Sequence, residues 1–190
     1  MKIRPYQPKD FENCREICYL TSQGFDTEKK KAALLNMFCD YYLEYEADTC
    51  FVAANDEDEA IGYIICADSY EEYEKNYRAN YMKDLKKLSF FFWLVRDIEL
   101  RMRRKLAKKF PAHLHINLKP GSQRQGAGHK LTDALLTELK SRGVSGIFLG
   151  VGAKNETGKR FYRKYGFTEY KRDVASIIFT IDINNWQPKV

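Results

Sequence analysis

Residues 118–131, LKPGSQRQGAGHKL, set three glycines among polar residues between a strand-like and a helix-like segment. Such a junction suits a phosphate. The first N–H groups of a helix lack helical partners, and the helix dipole puts partial positive charge at the same end. Three loop chemistries compete for the segment. A nucleoside triphosphate loop needs Lys and a hydroxyl after its second glycine; Gly121 and Gly126 have the spacing, but Ala127 and Gly128 take those two places. A dinucleotide fingerprint needs a third glycine where Leu131 stands. What remains is Gln123-Arg124-Gln125-Gly126-Ala127-Gly128, whose small residues admit a diphosphate to the backbone and whose following helix adds its dipole.

A second constellation follows. In NETGKRFYRKYGF, Asn155 and Tyr162 are seven residues apart, two helical turns, so both project from roughly one side of a helix begun by Asn155 and stopped by Gly166. Read alone, these are a helix cap and an aromatic packed beside Phe161 and Phe167. His113 and His115 alternate onto one strand face with Asn117, whereas Leu118 faces the other way together with the apolar Ala112 and Leu114. The histidines therefore read as hydrogen-bonded structural residues. Glu44, Glu46, Asp48 and a water-bridged Asn117 stay open as bases.

In this order and separation, the two motifs resemble the signatures of the GNAT superfamily of acetyltransferases. The resemblance implies that Gln123, Arg124, Gln125, Gly126, Ala127 and Gly128 hold the diphosphate of coenzyme A, and that the Leu118 N–H meets the acyl carbonyl. It further implies that Asn155 lies against the pantetheine arm and that Tyr162, near the coenzyme sulfur, is the catalytic acid for the departing thiolate. It brings no metal. The family's usual strand-borne bases fall at Ala112 and Leu114, which cannot serve. The opening IRPYQPKDF, FPAHLHINLKP and the helical insertion described below are similar to the acetyltransferase-like domain associated with O-GlcNAcase and its free-standing bacterial relatives.

Three functions stand. The first is acetyl-CoA-dependent transfer of an acetyl group to a primary amine of a small molecule or protein. The second is a catalytically inactive module that binds acetyl-CoA, coenzyme A or a partner protein, and the third is a polyanion-binding module. The expected partners are acetyl-CoA and an amine acceptor, with a homodimer possible and neither nucleic acid nor membrane expected.

These motifs must be positioned by the rest of the 190 residues. KIRPY reads as a strand, Pro8–Leu20 as a helix, and a second helix starts at Asp26 or Thr27 and frays near Tyr42. CFVAA and AIGYIICA flank NDEDE as a hairpin. Residues 70–110 turn to long helical stretches, an insertion between the third and fourth strands. AHLHINL, the loop-helix, GIFLGV, the Asn155 helix and two closing strands complete the order. The expected fold is α/β (α+β), a GNAT-like mixed, mostly antiparallel central sheet flanked by helices in one domain over 1–190.

Composition agrees: 44% hydrophobic and 31% charged residues describe a globular chain, and no run is apolar enough to span a bilayer. The net charge of +6 permits an anionic ligand without naming one. Cys14, Cys18, Cys39, Cys50 and Cys66 lack metal or disulfide spacing, and the N-terminus lacks a signal-like apolar core, so a cytoplasmic location is expected. The run Arg101, Arg103, Arg104, Lys105, Lys108, Lys109 reads as a solvated helix face. SFFFWLV before it is expected to pack on the sheet or to form a subunit contact.

Overall fold

The computed structural model describes residues 1–122, 126–172, 174 and 176–188. Gln123, Arg124 and Gln125 lie outside the described residues.

Seven strands form one sheet in the order β1-β2-β3-β4-β5-β7-β6. They are β1 (Lys2–Pro5), β2 (Phe51–Ala54), β3 (Ala60–Ala67), β4 (Ala112–Leu118), β5 (Gly146–Gly152), β6 (Thr168–Arg172) and β7 (Ser176–Asp182). β4 and β5 run parallel and every other neighbouring pair is antiparallel. This is the mixed, mostly antiparallel sheet that the motifs imply. A helix crossing between β4 and β5 accounts for their parallel pairing.

Alternation along the strands sorts the core into two layers. Tyr63, Ile65 and Phe148 bury one face of the sheet against α1 (Phe11–Leu20), α2 (Glu28–Leu35), α3 (Tyr41–Tyr45), α4 (Tyr70–Asn80), α5 (Met82–Leu88) and α6 (Phe90–Ala107). Ile64, Cys66, Leu114, Leu149 and Phe179 bury the other against α7 (Ala127–Ser141) and α8 (Glu156–Tyr165).

Local chemistry sets the helix boundaries. The side chains of Thr27, Ser69 and Ser89 accept hydrogen bonds from the N–H groups of Lys30, Glu72 and Phe92, capping α2, α4 and α6. The expected fraying near Tyr42 does not occur. The helix passes through a π turn (Asn36–Asp40) and on through α3, because Tyr41, Tyr42 and Leu43 are buried in the core. The insertion is three helices, the first stretch breaking at Tyr81, and all three lie between β3 and β4.

SFFFWLV does not lie on the sheet. Phe92 stacks on Phe25 at 5.5 Å and Trp93 packs beneath, whereas Phe90 and Phe91 are 60% and 67% exposed. The basic run is not one solvated face either. Arg101 pairs with Asp97, Arg104 with Glu74 and Arg103 with Glu99, so the helix periodicity sends Arg103 inward. All five cysteines are buried free thiols. Among the described residues there is no metal-binding cluster, and no helix is long and apolar enough to cross a membrane.

Candidate active site

The site is built by two strands that part. β4 and β5 pair only at Ala112↔Ile147 and His113↔Phe148, then diverge toward their C-terminal ends. On the other edge of β4, Lys119 N–H donates to the Ile61 carbonyl at 2.8 Å, which fixes the antiparallel alternation with β3. Leu118 and Ile116 therefore sit in non-hydrogen-bonded pairs with β3, and their N–H groups point toward β5, where no strand partner is left. That leaves two donors aimed into the parting.

α7 begins at the end of the loop that follows β4. Gly126, its N-cap, has φ +79°, a left-handed conformation that glycine adopts without strain. The first helical bond runs from Lys130 N–H to the Gly126 carbonyl, so the N–H groups of Ala127, Gly128 and His129 have no acceptor within the helix. Gly128 also holds α7 against α8: a Cβ there would stand 2.9 Å from the Phe161 ring.

α8 follows β5 directly. Asn155, an exposed residue, is its N-cap, with Oδ1 accepting the Gly158 N–H at 2.8 Å. Two turns on, Tyr162 is 8% exposed and packs against Phe167 and Phe179. Burial pushes its pKa up, so the hydroxyl keeps its proton at neutral pH. Leu118, Gly126, Ala127, Gly128, Asn155 and Tyr162 thus belong to the elements that leave the parted ends of β4 and β5. The free helical N–H groups, the bare backbone at Gly126 and Gly128 and the unpaired Leu118 N–H suit a diphosphate-bearing thioester.

The opposite face of the parting holds the groups that a base would come from. His113 Nε2 lies 2.6 Å from the Tyr42 hydroxyl, and burial lowers its pKa well below the ordinary imidazole value. His115 is pushed down to about 3 by burial and by Arg96. Asn117 donates to the Tyr63 hydroxyl at 2.7 Å. Glu44 accepts from the Tyr81 hydroxyl, and Glu46 from Tyr41 at 3.0 Å. Thr49 bonds the Cys66 carbonyl, and Cys66 lies opposite Leu114, so Thr49, next to Asp48 and close to Glu46 in the chain, stands about 13 Å down the strand from Leu118. Ala112 and Leu114 are buried against α7.

Sequence reasoning missed what fills that face. Arg96, Glu99 and Arg103 of α6 reach over β5 and bound a cavity of about 160 Å³ together with His113, His115 and Phe148. The spacing of three and then four residues was the available signal, since it places them on one helix face. Arg96 is anchored on the Met37 carbonyl of the π turn at 2.9 Å and on the Tyr73 hydroxyl. Burial raises the Glu99 pKa, but Arg96 and Arg103 overcome that and hold it below the ordinary value. A larger cleft of about 810 Å³, lined by Lys109, Glu169 and Trp186, shares no residue with the parting.

Comparison with known proteins agrees with this geometry. The acetyltransferase (GNAT) family model matches residues 11–167. Over 55 residues, 29% of the chain, the sequence is 40% identical to the ribosomal protein bS18 alanine N-acetyltransferase of Escherichia coli K12, a match that spans 37% of that relative's length. SsHAT superposes with a TM-score of 0.85 over 96% of this chain and 98% of its own, at 22% identity. The PaiA N-acetyltransferase of Thermoplasma acidophilum, solved in complex with coenzyme A, superposes with a TM-score of 0.59 over 95% and 98%, at 16% identity. Both superpositions speak to the fold. With the family model covering most of its length, the chain belongs to the acetyltransferase (GNAT) family.

Proposed function

We propose that this protein transfers an acetyl group from acetyl-CoA to a primary amine of a small molecule or protein, in the cytoplasm, with residues 1–190 acting as one unit. The observation that carries this is the parting of β4 and β5, because it frees the Leu118 N–H at the place where α7 and α8 bring their N-terminal turns. Within the family, we group the chain with the acetyltransferase-like domain associated with O-GlcNAcase and its bacterial relatives, on the strength of the opening segment and the insertion.

Acetyl-CoA supplies an activated thioester. In the mechanism we infer, the α7 N-terminus with Gly126, Ala127 and Gly128 receives the diphosphate, joined by Gln123, Arg124 and Gln125. The Asn155 amide nitrogen faces the pantetheine arm. The Leu118 N–H stabilises the negative charge that develops on the carbonyl oxygen as the amine nitrogen bonds to the carbonyl carbon. Tyr162 then donates its proton to the sulfur as the C–S bond breaks. The amine enters from the α6 side as its free base and releases its proton to water.

A second reading is favoured by one observation: the titratable groups of β4 are engaged or neutralised, His113 by Tyr42 and His115 by burial. On that reading the module binds acetyl-CoA, coenzyme A or a partner protein without turnover. Calorimetric titration with acetyl-CoA, beside a Gly126→Asp variant whose added side chain meets no protein atom within 4 Å at its Cβ, tests the coenzyme site. Saturable binding lost in the variant is expected. Release of free thiol with a panel of amines then decides between transferase and inactive module.

A further inference from the structure

The cavity under α6 has an excess of positive charge. Glu99 is the only carboxylate among the described residues that line it. Its Oε2 accepts from Arg96 Nη1 at 2.8 Å and its Oε1 from Arg103 Nη2 at 3.0 Å, so one carboxylate serves two guanidinium groups. Burial keeps His113 and His115 neutral. Among the described residues one positive charge is left over.

Hydrogen bonding shows the same surplus. Arg96 Nε, Arg103 Nη1 and His113 Nδ1 are buried without an acceptor among the described residues. Arg96 Nε and Arg103 Nη1 are donors at any pH, since a guanidinium carries no acceptor, and His113 engages the Tyr42 hydroxyl through its other nitrogen, Nε2, at 2.6 Å. Two of the three orphans are thus guanidinium donors, and all three belong to residues lining this one cavity. Buried donors cost stability unless an acceptor meets them, so two such donors on residues lining one cavity point to that cavity as the place of an acceptor group.

The backbone is shaped for it. Arg103 lies across β5 with its guanidinium 5.6 Å from the Phe148 ring centre, and a Cβ at Gly150 would stand 2.9 Å from its Nη2. A single net charge matches a monoanion better than a phosphate dianion, and about 160 Å³ suits a short chain rather than a folded peptide.

We propose that this cavity binds the carboxylate of the acceptor, so that the substrate is a small amine that also carries a carboxylate, its amine directed toward the parted ends of β4 and β5. This rests on the acetyl-transfer reading of that parting. The side chains of Arg103 and Arg96 hold the carboxylate, and Glu99 keeps the two guanidinium groups apart and aligned.

The test is a titration of the wild-type protein with glycine, β-alanine and γ-aminobutyrate, and with the carboxamide of each, in the presence of coenzyme A. Binding is read by calorimetry and by the arginine Nε–H resonances in NMR spectra. At least one amino acid is expected to move the Arg103 resonance saturably and to bind about tenfold or more tighter than its carboxamide, the scale of a charge-assisted hydrogen bond. Arg103→Met is expected to abolish that preference, with coenzyme A affinity as the control for folding. Equal binding of the carboxamides, or no response to any of the three amino acids, overturns the proposal. Repeating the titration without coenzyme separates the two readings: carboxylate binding in a protein that does not bind acetyl-CoA removes acetyl transfer and keeps the anion site.

Discussion

The Tyr42 hydroxyl stands 2.6 Å from His113 Nε2, and neither residue reaches solvent beyond a few per cent. The pair joins α3 to β4 and makes His113 part of the core. Tyr42→Phe is expected to cost about 1–3 kcal/mol of stability in chemical denaturation, the penalty for leaving a buried imidazole nitrogen without its partner. Thiol release should keep its pH profile. A profile displaced by the substitution would make His113 a base.

Tyr162 separates binding from chemistry. Tyr162→Phe keeps the ring that packs on Phe167 and Phe179, so coenzyme A affinity should stay within about twofold of wild type. Turnover should fall about 100-fold, the lower range for loss of a general acid. Unchanged turnover in single-turnover kinetics removes the acid role.

The contact of Gly128 with Phe161 links the two helices that leave the parted strands. Gly128→Ala places a methyl group 2.9 Å from that ring, so overpacking should cost about 1–3 kcal/mol and weaken coenzyme binding together with it. Adding Phe161→Leu should restore much of both. Loss of binding that the second change does not relieve would show that Gly128 matters through the loop alone, and calorimetry beside thermal melting tells the cases apart.

Asn155 has two offices that substitutions can divide. As N-cap it accepts the Gly158 N–H at 2.8 Å, and Asn155→Ala should cost about 1 kcal/mol by fraying α8. Asn155→Ser keeps a capping oxygen but loses the amide nitrogen. Its stability should match wild type while acetyl-CoA affinity drops several-fold; equal affinity would confine Asn155 to capping.

Stability should depend on pH through two half-buried carboxyls. Burial pushes Glu46 up to about 7 and Asp40 up to about 6, both above their unfolded values. Across that interval the folded state binds more protons than the unfolded state, so stability is highest below the unfolded pKa and falls as pH rises through the folded values. Melting temperature should decline from about pH 5 to pH 8, and Glu46→Gln should flatten the decline. A melting temperature that rises over the same interval contradicts this assignment.

The motifs and most helix ends were legible because their chemistry is local. The starts at Thr27 and Asn155, the stop at Gly166 and the strand alternation that puts His113 and His115 opposite Leu118 each depend on residues a few positions apart. The helix beyond Tyr42 was not legible, since its last turns are held by core burial of Tyr41, Tyr42 and Leu43. SFFFWLV was expected to pack on the sheet or to form a subunit contact; within the chain Phe90 and Phe91 are exposed, because Phe92, Trp93 and Arg96 take the inward side of α6.

The sequence by itself determined the two signatures, their order on the chain and the sheet they belong to, for each is written in short spacings and hydrophobic period. Tertiary structure alone decided that β4 and β5 part after two residues, that Tyr42 removes His113 from chemistry, and that Arg96, Glu99 and Arg103 roof the opening. Those outcomes depend on burial and on partners more than forty residues away, as between Arg103 and Gly150, which meet only once the sheet has formed.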